Sequence, residues 1–232
     1  MFRVIFVLDI LDGQVVHAVK GERENYGPIH TFSKVCESSD PLDIVNELVP
    51  GEVYIADLNR LGNRGNNDEV VKQIGWKSKT MIDLGASSLD DVHLGHQMAD
   101  SIVLGTETAT HELLESATGF YPRSINMSID IKGGRILTRE PAFNLQPLEL
   151  IQMLNNYDIN DLIILELSKV GTSSGINTGF LEQMVDHSDH NILLGGGVRG
   201  KDDINLLRDV GLEGVLVATA VHSGALPLDL IQ

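Results

Sequence analysis

The 232-residue sequence predicts a single (βα)8 barrel spanning residues 1–232 and built of two homologous half-barrels, roughly 1–122 and 123–232. Three observations carry that expectation. First, an apolar run closed by an acid and a glycine turn occurs twice: VIFVLDILDG, with Asp9 and Gly13, and SINMSIDIKGG, with Asp130 and Gly134. Second, further motifs recur in the same order in both halves. YIADLNRLG (54–62) resembles IILELSKVG (163–171), MIDLGASSLDDV (81–92) resembles LLGGGVRGKDDI (193–204), and SIVLGTETAT (101–110) resembles EGVLVATAVH (213–222), with Thr106 set against Thr219. Internal repeats of this kind decide an architecture before any other signal. Third, strand-like apolar runs alternate with amphipathic stretches, the pattern of βαβ units and a parallel sheet. Eight strands in two equal halves favour a closed barrel over an open doubly wound sheet. The latter would place G-x-G-x-x-G after the first strand, where this chain has DILDG.

Taken in order, the first strand is VIFVLDI, its Asp9 at the C-terminal end and a glycine turn beyond it. Helical stretches are expected at 40–49, 67–75, 88–98, 110–116, 146–155, 177–187 and 201–209, between the strand runs. Two of them open on cap-type residues, Asp40 before Pro41 and Ser88 before Leu89, as helix starts do. Asn63–Asn67 and Arg139–Leu145 follow strands and are expected to be flexible loops on the active face.

Composition agrees with one domain: 42% hydrophobic residues over this length bury one large core. With 17 basic against 33 acidic residues the formal charge is −16, which argues against a nucleic-acid partner, because such binding needs Lys and Arg at the phosphates. The lone cysteine, Cys36, allows no internal disulfide framework and fits a reducing cytoplasm. No segment approaches the roughly 20 apolar residues of a membrane span.

Barrel enzymes do their chemistry at the C-terminal ends of the strands, so Asp9 and Asp130 are candidates to face one mouth from opposite walls. The plainer reading is that each caps a neighbouring amide or pairs with Lys20 or Lys132. The tract LLGGGVRGKDD places three glycines where a strand gives way to a helix, and VLVATAVHSG places small residues and Thr219 after the last strand. Glycine lets the backbone approach a ligand and free amides favour an anion, while the loops after the seventh and eighth strands often hold phosphate in barrels. Alternatively, the glycines only allow close helix packing. Thr172, in the GTSSG loop after the sixth strand, either bonds substrate or shapes the turn. His17 lies in an apolar run and reads as structural or as a donor behind the site. His93 and His96 share a helix face with no acid or cysteine cluster beside them, so no metal site is indicated. There is no G-x-S-x-G and no Cys/His pairing for nucleophilic hydrolysis.

The motifs LDILDGQVVHAVKG, YIADLN, VLGT, SIDIKGGRI, GTSSG, LGGGVRGKDD and EGVLVATA, spread over essentially the whole chain, resemble the histidine-biosynthesis barrel family. That family comprises the phosphoribosylformimino-aminoimidazole carboxamide ribotide isomerase and its cyclase relative, and the first strand and loop are closer to the isomerase. The resemblance implies a half-barrel duplication and an Amadori rearrangement of an aminoaldose to an aminoketose, without cofactor or metal. It assigns the base to Asp9 and the acid to Asp130, which protonates the ribose ring oxygen. It implies phosphate contacts at Gly196, Gly197, Ala218 and Thr219 in one half and at Gly85, Gly105 and Thr106 in the other, with Thr172 as the threonine after the sixth strand. The partner it implies is a phosphorylated small molecule.

Three departures fall at the implied substrate. The first-half glycine run followed by Arg is replaced by Asp83, Leu84, Gly85, Ala86 and Ser87; the acid before the G-T pair is Val170; and REPAFNL lacks the family tryptophan, Trp76 being the only one in the chain. A carboxylate about 5 Å from a phosphate, at an effective dielectric near 20, opposes it by roughly 3 kcal/mol, against about 0.3–1 kcal/mol that an exposed helix N-terminus offers an anion. The two phosphate sites are therefore expected to be unequal. A paralogous barrel enzyme acting on a different phosphorylated molecule is the alternative, since the chain resembles the uncharacterised isomerase-related proteins of archaea at least as well as the isomerase. A non-catalytic ligand-binding or partner subunit fits less well, having no need of paired strand-end acids.

Overall fold

The structure is a computed structural model describing residues 2–173 and 175–232. Eight strands form the barrel: β1 (Arg3–Leu11), β2 (Glu52–Asp57), β3 (Lys79–Asp83), β4 (Ser101–Gly105), β5 (Ile125–Lys132), β6 (Asp161–Glu166), β7 (Asn191–Gly195) and β8 (Gly214–Val217). Each pairs parallel with the next, and β8 pairs with β1 to close the ring. Because strand side chains alternate, the apolar runs serve two cores. Ile5, Tyr54, Met81, Val103, Ile163, Leu193 and Leu216 fill the interior. Phe6, Leu8, Ile55, Ile82, Leu104, Ile129 and Ile164 face the surrounding helices.

The helices are α1 (Pro41–Leu48), α2 (Leu58–Leu61), α3 (Asp68–Gly75), α4 (Leu89–His96), α5 (His111–Phe120), α6 (Pro147–Leu154), α7 (Thr178–His187), α8 (Lys201–Val210) and α9 (Thr219–His222). Asp40 caps α1 by accepting from the amides of Leu42 and Asp43, and Ser88 with Asp91 forms a capping box on α4. α5 runs past the expected residue 116 because Leu113, Leu114, Ala117 and Thr118 form one buried stripe. Among the described residues no helix is long and apolar enough to cross a membrane.

Both acid-bearing strands continue into a two-residue hairpin. In β1 the turn is Asp12-Gly13, with Leu11 opposite Gln14; in β5 it is Gly133-Gly134, with Lys132 opposite Arg135. All four turn residues have positive φ, between 50° and 76°, as a type I′ turn requires. The hairpins thus match residue for residue from Asp9 and Asp130 onward.

The two loops expected to be flexible each carry one buried anchor. Asn67, 7% exposed, donates to Asp57 at 2.7 Å and to Asn59 at 3.1 Å and accepts from the Gly13 amide. This network ties the first hairpin to the loop after β2. In Arg139–Leu145 the single turn Pro141–Phe143 buries the Phe143 ring completely. Each segment thus has one buried residue, while residues 63–66 in the first and Arg139, Pro141, Asn144 and Leu145 in the second are exposed.

At the opposite, N-terminal end of the strands, Arg3 donates two bonds of 2.8 Å to Asp161 and also pairs with Glu52. Asp161, fully buried, accepts further from Asn160 and Asn191. First residues of β1, β2, β6 and β7 therefore floor the barrel with one charge network.

Candidate active site

Asp9 and Asp130 lie on the inner face at the C-terminal ends of β1 and β5, four strands apart around an eight-stranded ring and so on opposite walls. Their strand neighbours Leu8, Ile10, Ile129 and Ile131 point into the outer core, which fixes both acids inward. Above them a cavity of about 390 Å3 opens at the mouth, lined on the acid side by Asp9, Tyr54, Ala56, Asp83 and Glu107. Asp130 sits deeper, 7% exposed and outside the cavity wall. Ser128 donates to its Oδ1 at 2.8 Å, and its own amide donates to Thr106 Oγ1 at 3.1 Å. A Cβ on Gly105 would come within 3.1 Å of Asp130 Oδ2, so the glycine makes room for the carboxyl. No described residue hydrogen-bonds the Asp9 carboxyl, and neither acid forms an ion pair with Lys20 or Lys132.

A third acid, Asp83, shares the interior. Asp9 lies beside Ala56 in register and Ala56 beside Asp83, so only a methyl side chain separates the two carboxyls along that row. Burial, reinforced by the Asp83 charge and opposed by Arg23, pushes Asp9 up to about 7. Burial likewise raises Asp130 to about 7, aided by Asp83 and Glu107 and opposed by the Ser128 bond. Asp83 is itself raised by burial, against bonds from the Gly85 amide and Tyr54. Burial and the three acids hold the Tyr54 hydroxyl far above its usual range, so it stays protonated and donates to Asp83 Oδ2 at 3.1 Å. Two carboxyls poised near neutrality are what general acid–base catalysis needs.

The register also equates Asp83 with Gly195, since Asp130, Leu165 and Gly195 form the matching row in the second half. There the site is open. Gly196, Gly197, Ala218 and Thr219 all line the cavity, and Gly196 and Gly197 have φ of 92° and 88°. Among the described residues the amides of Gly197 and Thr219 have no acceptor. In the first half the corresponding amides are engaged: Gly85 N–H donates to Asp83 Oδ1 at 3.0 Å and Thr106 N–H to the Ser128 carbonyl at 2.9 Å. Gly85, Gly105 and Thr106 lie outside the cavity wall. Leu84 is turned away from the site; its side chain packs in the outer core, close to where a Cβ on Gly95 of α4 would lie.

Thr172 is also outside the wall, its hydroxyl donating to the Lys169 carbonyl at 2.8 Å. Its neighbours Val170, Gly171 and Ser173 line the cavity, while Ser174 of the GTSSG segment lies outside the described residues. His17 stacks on Phe32 and its Nε2 lies 3.3 Å from Thr219 Oγ1, behind the site. His93 packs on Phe120 and Tyr121, and His96 on Tyr121. The sequence reading passed over Tyr54, Ser128, Arg23 and Glu107. Tyr54 and Ser128 were findable, lying an even number of residues from Ala56 and Asp130 on inward-facing strand positions. Arg23 and Glu107 reach the site from loops, where no periodicity marks them.

Fold and site together define a (βα)8 barrel with paired strand-end carboxyls at its mouth and a glycine-lined wall at Gly195, Gly196 and Gly197. The chain belongs to the histidine biosynthesis protein family, whose match covers residues 3–227. An uncharacterized protein of Methanocaldococcus jannaschii is 32% identical over 236 residues, covering 99% of this chain and 97% of its own length. The 1-(5-phosphoribosyl)-5-((5-phosphoribosylamino)methylideneamino) imidazole-4-carboxamide isomerases of Dehalococcoides mccartyi and Haloarcula marismortui are each 26% identical, over 235 and 240 residues. They cover 97% and 98% of this chain and 93% and 94% of their own lengths.

Proposed function

We propose that the protein is a cofactor-independent aldose–ketose isomerase that carries out an Amadori rearrangement on a phosphorylated aminoaldose in the cytoplasm. The observation that supports this best is the pair Asp9 and Asp130, both held near neutral pKa on the inner face of opposite strands, Asp9 on the cavity wall and Asp130 deeper in the barrel. Asp130 gives its proton to the ring oxygen, which opens the sugar to an imine. Asp9 takes the C2 proton, and the enolamine becomes the ketone by gaining a proton at C1 and losing that of the C2 hydroxyl. Desolvation keeps a proton on Asp130 where an exposed aspartate would have lost it, and makes the ionised Asp9 a stronger base. The phosphate sits against the free amides of Gly197 and Thr219, with Gly196 and Ala218 beside them and Lys132 on the cavity wall. The isomerase relatives make the ribotide of histidine biosynthesis the first substrate to test. Asp83, which engages the Gly85 amide, favours the second reading, a paralogous enzyme of the same mechanism with a singly phosphorylated substrate.

Complementation of a histidine-requiring isomerase deletion separates the two. Growth supports the ribotide isomerase. Failure to grow with a folded, expressed protein removes the ribotide and leaves the paralogue.

A further inference from the structure

We propose that Asp83, flanked by Tyr54 and Glu107, makes the first-half end of the cavity a selector for a substrate terminus that donates hydrogen bonds, an ammonium or a hydroxyl, and rejects a second phosphate there. This rests on reading the cavity as the isomerase site. Asp83 stands at the register position of Gly195, and its carboxyl already occupies the place an anion would take. Oδ1 accepts from the Gly85 amide at 3.0 Å and Oδ2 from Tyr54 at 3.1 Å. The other first-half amide, Thr106, is engaged by the Ser128 carbonyl, so a phosphate arriving here finds no free backbone donor. Asp9 lies one strand beyond Ala56, and Glu107 and Glu24 also line the wall. The cation on this side, Arg23, is drawn to Glu107 at 3.8 Å and offsets only part of that negative charge. Each carboxyl oxygen has lone pairs beyond the one bond it accepts, and a donor group from a ligand makes a charge-assisted bond to them. Around the rest of the cavity the order is reversed: Lys20 and Lys132 line it with no carboxylate in ion-pair range among the described residues, and the amides of Gly197 and Thr219 are free. A molecule with one phosphate and one amine- or hydroxyl-bearing end matches both sides at once.

Three probes on one carbon chain test this: 1-amino-1-deoxyfructose 6-phosphate, fructose 6-phosphate and fructose 1,6-bisphosphate, which differ only in the ammonium, hydroxyl or phosphate at one end. Calorimetric titration of the wild type should show the amine and the hydroxyl compound binding at least roughly tenfold tighter than the bisphosphate, a factor of ten being about 1.4 kcal/mol. Asp83→Gly should shrink that preference at least about tenfold by restoring the glycine and freeing the Gly85 amide. Asp83→Asn, which keeps the side chain's size and one acceptor oxygen but removes the charge, should shrink it less and serves if the glycine variant folds poorly. Equal or tighter bisphosphate binding by the wild type, or a preference unchanged in both variants, would overturn the selector while leaving the isomerase site standing. Binding of none of the three probes would overturn both.

Discussion

At the residue scale, the arrangement turns on how burial and charge set three carboxyls. Asp9→Asn and Asp130→Asn should each lower kcat on the true substrate by at least roughly 10²–10⁴-fold, the usual share of a general acid or base; activity within a few-fold of wild type would remove that residue from the mechanism. Neither change should lower stability at alkaline pH. Folded-state values raised to about 7 mean that the folded protein holds protons the unfolded chain releases near 3.8. That contribution is complete below the unfolded value and is lost as pH rises through about 7. The asparagine variants should therefore melt at or above the wild-type temperature at pH 8 and lose any advantage near pH 4, which calorimetry at the two pH values would show. Because the Asp83 charge raises both acids, Asp83→Asn should also move the pH profile of turnover to lower pH. A profile that stays in place would separate Asp83 from the titration of the pair.

At the element scale, the acids are positioned by hairpins and polar clasps rather than by the strands alone. The Asp12-Gly13 turn extends β1 past Asp9, and the Asn67 side chain holds that turn by its bond from the Gly13 amide while also binding the fully buried Asp57. Replacing Asn67 with alanine strands a backbone donor and leaves Asp57 one partner short. Leaving a buried polar group unsatisfied costs about 1–3 kcal/mol, so Asn67→Ala should lower the midpoint of chemical denaturation by that much. Hydrogen exchange should quicken at Gly13 first. A variant as stable as the wild type, with Gly13 still protected, would show that the clasp is redundant. His222 in α9 offers a second case: it is fully buried, its Nδ1 is hydrogen-bonded with Ser33 Oγ at 3.0 Å, and Nε2 is unpartnered among the described residues. Burial, and to a smaller extent His17, pulls it down to about 4, so its contribution is present above about 6.5 and lost as pH falls through about 4.

At the scale of the whole molecule, the candidate site and a stabilising charge network lie at opposite ends of the barrel. The mouth keeps carboxyls close together and poorly satisfied, while the floor pairs Arg3 with Asp161 and Glu52 in one network. Removing one partner of a buried pair leaves an uncompensated charge and typically costs 3–5 kcal/mol. Arg3→Met should fall at the low end, near 3 kcal/mol, because Asn160 and Asn191 still donate to Asp161. At about 2–4 °C per kcal/mol for a domain of this size, the melting temperature should drop by roughly 6–12 °C while the mouth keeps its function. A loss of activity without that drop would place the network in catalysis instead.

The sequence by itself pointed to the barrel and to Asp9 and Asp130 at the strand ends, because the repeated strand–acid–glycine motif and the alternation of strand-like and helical stretches are read along the chain without knowledge of the partner strand. It also pointed to the glycine wall at Gly196 and Gly197 and to the small residues at Ala218 and Thr219. Only the tertiary structure decided which amides are free. Gly85 and Gly197 look alike as letters, yet one donates to Asp83 and the other to no described residue, a difference set by the side chain two positions earlier and by strand register. Tertiary contacts likewise decided that Leu84 faces α4 and that Asn67 is clamped. They decided too that Arg23 and Glu107 meet at the mouth from loops more than 80 residues apart in the chain. Those outcomes depend on distances between segments that no local pattern encodes.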